Sequence, residues 1–145
     1  MKLALLLLLT GCKPMVENDA VELVAANPSM AVVEQVKSEL SRAQKDGRQL
    51  LVYVGATWCE PCRYFHDAAK AGALNKDFPR LRLIEFDQDR DSAALQEAGY
   101  KSNLIPLFAR PAANGRSSGQ QIEGSIKGPG AVGEITPRLR GLLGP

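Results

Sequence analysis

Residues 49–65 read QLLVYVGATWCEPCRYF, and the pattern changes character halfway along. The first part, 49–56, is a nearly continuous apolar run rich in valine and bounded by Gly55, which fits a central strand buried on both faces. The second part runs on through RYFHDAAKAGAL as a helix. Cys59 and Cys62, two of the three cysteines in the chain, sit at the junction. Two thiols three residues apart can be a redox pair, half of a metal site or a structural staple. A helix start favours the first use, because unpaired amide hydrogens and the helix dipole stabilise a Cys59 thiolate. Cys62 lies one turn deeper. Helical geometry sets their Cα atoms about 5 Å apart, within the range a disulfide tolerates.

The flanks extend this reading. AVELVAA at 20–26 fits a first strand and equally the opening of a helix. Asn27-Pro28 predicts a helix cap followed by proline at the first helical position. Val33, Val36, Leu40 and Ala43 then recur at helical spacing, and Gly47 ends the helix. LRLIEFD at 81–87 is a strand, and DSAALQEAG at 91–99 is a short helix capped by Asp91 and stopped by Gly99. LIPLFAR at 104–110 reads as a strand despite its proline. Asn114-Gly115 marks a hairpin turn, and QQIEGSI at 120–126 is the returning strand. In GEITPRLRGLL the apolar face is helical, with Pro137 expected to mark a kink or a late start. The order is β-α-β-α-β-α-β-β-α, an α/β chain with a parallel N-terminal half and an antiparallel C-terminal hairpin.

VGATWCEPCRYF followed by LIPLF resembles the thioredoxin superfamily, which carries a W-C-x-P-C motif and a later apolar-proline pair. The resemblance covers about residues 49–110. It implies a thioredoxin-like fold, a central mixed sheet flanked by helices, over residues 20–145. It also implies thiol–disulfide oxidoreductase activity, with Cys59 as the attacking thiol and Cys62 as the resolving one. Trp58, Glu60 and Pro61 would surround the pair. Pro106 would be a cis-proline, Ile105 before it would offer backbone hydrogen bonds to a substrate strand, and Gly124 would lie close to the site. No cofactor beyond the redox-active cysteines is implied. The partners would be proteins bearing disulfides or thiols, and a second redox protein that recycles the enzyme. The sequence departs from the family where a buried aspartate is replaced by Tyr53 and its lysine partner by Leu83. Glu85, at the same strand parity as Leu83, is one possible substitute, although its position reads first as a solvated strand-end carboxylate.

Other readings of the cysteines compete with this one. A purely structural bridge is weak, since closing four residues stabilises by roughly 2 kcal/mol against about 4.7 for a 100-residue loop. Cys59, Cys62 and His66 form C-x2-C-x3-H, a soft set that could hold Cu(I) in a copper-binding or copper-delivery protein. The fold could also serve as a non-catalytic interaction module. Cys-Glu-Pro-Cys also occurs in membrane-tethered reductases. A solvated Glu60 at about 7 Å would disfavour the thiolate by roughly 0.6 kcal/mol, on the order of 10–15 mV. The sign favours a reductant, but the size does not decide the direction.

The N-terminus, MKLALLLLLTGC, has one lysine, an apolar run at 3–9, then small residues before Cys12. This is the layout of an export signal and is too short to span a bilayer. Leu9-Thr10-Gly11-Cys12 resembles the bacterial lipobox. That resemblance implies a signal peptide over 1–11, lipid on Cys12, a lipidated tether over 12–19, and attachment to the cell envelope facing the periplasm. Lys13 after the cysteine goes with outer-membrane rather than inner-membrane sorting. Lipidation would also leave Cys59 and Cys62 as a self-contained pair in an oxidising compartment. The net charge of +2 and the short basic run PRLR at 137–140 give no footprint for nucleic acid.

Overall fold

The computed structural model describes residues 18–145. The expected signal peptide, Cys12 and most of the tether lie outside the described residues. Nine elements follow the expected order: β1 Glu22–Ala25, α1 Val32–Lys45, β2 Gln49–Gly55, α2 Glu60–Lys70, β3 Leu81–Asp87, α3 Gln88–Glu97, β4 Leu107–Pro111, β5 Ser117–Glu123 and α4 Ala131–Leu143. They build one five-stranded sheet in the order β1-β3-β2-β4-β5. β1, β3 and β2 run parallel, while β4 pairs antiparallel with β2 and β5 with β4.

The apolar run of β2 explains its place at the centre, because every residue from Leu50 to Gly55 is buried. Alternation along the strands then assigns two cores. Val52, Val54, Ile84, Phe86, Leu107 and Ala109 pack with Val36 and Ala43 of α1 and Leu95 of α3. Leu51, Tyr53, Leu81, Leu83 and Phe108 pack with Phe65 and Ala69 of α2 and with Ile135 and Leu139 of α4. Tyr53, Phe65 and Phe108 form a ring cluster with centroids 4.7–5.7 Å apart. Each such buried ring stabilises the fold by roughly 1.5–3 kcal/mol. Because α2 lies on the Tyr53 face, whatever follows β2 at its C-terminal end is held over that core.

Several boundaries differ from the sequence reading, and β5 runs over Ser117–Glu123 instead of 120–126. α1 starts at Val32, since Asn27 is spent on a turn in which its Oδ1 accepts from the Ser29 amide and its carbonyl from the Met30 amide. α3 starts at Gln88 and is capped by Asp87, whose Oδ1 accepts from the amides of Asp89 and Arg90. Asp91 reaches back to accept from the Asp87 amide, so the expected cap is the reciprocal partner of the real one. Burial pushes the Asp91 carboxyl up, but the hydrogen bonds from Arg90 and the Asp87 amide outweigh it and hold it below the usual carboxylate range. β4 begins only after Pro106, and α4 runs through Pro137 from a start well before it.

Candidate active site

α2 begins where β2 ends, with Cys59 as its N-cap in extended conformation and Pro61 in its first turn. Proline is tolerated there because its missing N–H would have had no helical partner. Cys59 and Cys62 are joined by a disulfide, their Cα atoms 5.2 Å apart. The Cys59 Sγ also accepts from the Cys62 amide at 3.3 Å, so this sulfur sits at the positive end of the helix. Both cysteines are nearly enclosed.

On the Cys59 side the bridge borders a groove of about 590 Å³ lined by Trp58, Glu60, Pro61, Leu104 and Ile105. Trp58 is 65% exposed and Leu104 60%, which is unusual for large apolar side chains. Trp58 is nevertheless fixed, because its Nε1 donates to Asp89 Oδ2 at 2.8 Å. The Ile105–Pro106 peptide is cis, and Pro106 lies buried behind the groove wall. Gly124 holds that wall. Its amide donates to the Pro106 carbonyl at 2.9 Å. Its backbone takes φ +68°, and an added Cβ would meet Leu104 Cδ1 at 2.9 Å. The positive φ favours glycine here, and a side chain would also push Leu104 aside.

On the Cys62 side lies a second cleft, of about 490 Å³, whose lining includes Tyr53, Cys62, His66 and Glu85. The Tyr53 hydroxyl donates to the Cys62 carbonyl at 3.1 Å. Burial and the nearby charges of Glu85 and Asp67 push its phenol pKa well above the ordinary value, so it stays neutral. Glu85 is not the solvated strand-end carboxylate expected from sequence. It pairs beside Tyr53 in the β2–β3 register, is only one-third exposed, and faces His66 Nε2 at 3.4 Å. Burial pushes its carboxyl above the ordinary range, against the opposing pull of His66 and Lys70.

The structure thus brings Trp58, Cys59, Glu60, Pro61 and Ile105 to one groove, with Pro106 and Gly124 behind it. His66 stands on the other side with Cys62. Among the described residues, no three His, Cys, Asp or Glu side chains are grouped to hold a metal ion. His66 is engaged with Glu85 and, at 3.7 Å, with Asp67. Sequence reasoning missed Asp89 and Leu104. Asp89 acts on a tryptophan 31 positions earlier, so nothing local marks it.

A family profile described as thioredoxin-like matches residues 31–109, just over half of the chain. The chain belongs to the thioredoxin-like family. With its C-x-x-C pair, this thioredoxin-like protein is a thiol–disulfide oxidoreductase. Proteins of the fold generally need no cofactor. None of the curated proteins compared matches the chain. Similar solved structures include oxidised thioredoxin O1 of Arabidopsis thaliana, 19% identical with TM-score 0.49, covering 86% of this chain and 95% of that one. A poplar thioredoxin h is 22% identical with TM-score 0.49, covering 86% and 97%. Trichomonas vaginalis thioredoxin is 24% identical with TM-score 0.48, covering 70% and 85%.

Proposed function

We propose that the protein is a lipid-anchored reductant of protein disulfides that works at the periplasmic face of a bacterial membrane. The observation that carries the catalytic part is the Cys59–Cys62 bridge at the start of α2, opening on a groove walled by Trp58, Leu104 and Ile105. In the reduced enzyme the Cys59 thiolate attacks a substrate disulfide and forms a mixed disulfide, with one substrate sulfur leaving. Cys62 then attacks Cys59, the second substrate sulfur leaves, and the Cys59–Cys62 bridge reforms. A second thiol protein returns the enzyme to the dithiol state. Glu60 beside Cys59 disfavours the thiolate slightly, which supports the reducing direction. Engagement of His66 by Glu85 and closure of the two cysteines on each other favour this reading over copper handling.

The anchor rests on Leu9-Thr10-Gly11-Cys12 and the apolar run before it. Among the described residues no helix is long and apolar enough to cross a membrane. Lipid on Cys12 would supply a stable attachment.

Insulin reduction with a dithiol reductant tests the catalytic part. Wild type should accelerate insulin precipitation and Cys59→Ser should fall to the uncatalysed rate; an inactive wild type refutes the proposal. A reduction potential near that of thioredoxin, about −270 mV, fits a reductant, and one near −120 mV reverses the direction. Radiolabelled palmitate should enter the wild type and not Cys12→Ser. Equal labelling would remove the anchor.

A further inference from the structure

One step of that cycle lacks a proton acceptor: Cys62 must ionise before it attacks Cys59, yet it is 2% exposed. The cleft behind Cys62 has room for water, and Glu85 and His66 on its wall offer polar partners to hold it. Ionisable groups reach this cleft from four elements, and most are unsuited to take a proton. Tyr53 of β2 donates to the Cys62 carbonyl and stays neutral. Arg63 of α2 and Arg90 of α3 carry permanent positive charge. Asp87, at the end of β3, uses its carboxylate to cap α3. Asp67 and Lys70 of α2 stand beside the cleft, the first on His66 Nδ1 and the second acting on Glu85 only through its charge. Glu85 and His66 remain. They face each other at 3.4 Å, and both line the cleft that Cys62 lines.

We propose that Glu85, oriented by His66, accepts the Cys62 proton through a water molecule in this cleft. The inference rests on the reading of the protein as a disulfide reductant. In the mixed disulfide the Cys62 S–H bond breaks and its proton passes by way of water to the Glu85 carboxylate. The Cys62 thiolate attacks Cys59 Sγ, the bond from Cys59 to the substrate sulfur breaks, and that sulfur leaves as a thiolate with the bonding pair. The dithiol is oxidised, the substrate disulfide is reduced, and the proton leaves Glu85 for the departing thiolate or for solvent. Half-burial suits Glu85 to the task, since a carboxyl raised above its ordinary range is a stronger base than a solvated one.

The test follows the two steps separately. The reduced full-length protein is mixed with the aromatic disulfide dithiobis(nitrobenzoate), quenched in acid, and the peptide of residues 49–63 is analysed by mass spectrometry. Wild type should form an adduct on Cys59 and then convert it to the Cys59–Cys62 bridge. Absence of both the adduct and the Cys59–Cys62 bridge in wild type would defeat the reductant reading itself. With Glu85→Gln, adduct formation should be unchanged. Its conversion should slow about tenfold near pH 7, below the roughly hundredfold minimum usual for a general base because thiols ionise readily. The deficit should close near pH ~10, where a thiol ionises without help. Glu85→Asp should recover part of the rate. Unchanged conversion in Glu85→Gln overturns the proposal, and so does a loss that persists at high pH, which would mark a packing defect. If Glu85→Gln does not fold, the wild-type profile decides. Conversion must fall with acid through a carboxyl titration above the ordinary range, and a profile that follows only a thiol overturns the assignment.

Discussion

On the outer side of the disulfide, Cys59 borders a groove topped by the exposed side chains of Trp58 and Leu104; on the inner side, Cys62 borders a cleft that holds Tyr53, His66 and Glu85. The two sulfurs are three residues apart and covalently joined, but one helical turn gives them different neighbours. The outer surroundings present apolar area and the backbone beside Pro106, which suit another polypeptide. The inner ones place a half-buried carboxylate, Glu85, against an imidazole, His66, which suits moving a proton. The contrast follows from where α2 starts. Its N-cap, Cys59, sits a few residues past the end of β2, and the turn that follows packs Phe65 over the Tyr53 face of the sheet.

This division can be strained from either side. The larger effect is expected outside. Trp58→Ala removes an exposed anchor held by Asp89, and should raise KM for insulin by roughly tenfold, the scale of an interface tryptophan. KM for a small aromatic disulfide should not move. An equal rise for both would mean that Trp58 tunes the cysteines instead of holding the protein substrate. The smaller effect is expected inside. Tyr53→Phe keeps the ring cluster with Phe65 and Phe108 but deletes the hydrogen bond to the Cys62 carbonyl. Denaturant titration should show a loss of about 1 kcal/mol, with KM for insulin unchanged. If Tyr53→Phe weakened protein binding instead, the two sides of the bridge would not be separable.

Much of the fold is written in local pattern. β2 and β3 are apolar runs of strand length, and the order of all nine elements follows from them and the helical stripes between. The starts of α1 and α3 were misread for a local reason: Asn27 and Asp91 are good capping residues that the chain uses for a turn and for the reciprocal half of a cap. Of the two expectations for Pro137, a late start is excluded, because α4 packs Ile135 and Leu139 into the core on either side of it. Within the site, Cys59, Cys62 and Trp58 announce themselves by spacing. Glu85 does not. Its burial depends on α2 crossing over β3 and bringing His66 to it, an encounter between residues 19 positions apart that neither segment encodes alone. Leu104 is exposed because residues before Pro106 leave the sheet that the apolar pattern had extended through them.

The most direct test of the outward and inward division is the alkylation rate of each sulfur in the fully reduced protein at neutral pH, read by fragment mass spectrometry of residues 49–63. Cys59, at the helix tip, should react faster than a free cysteine, and Cys62 should react far more slowly than Cys59. Equal rates, or faster labelling of Cys62, would contradict the account.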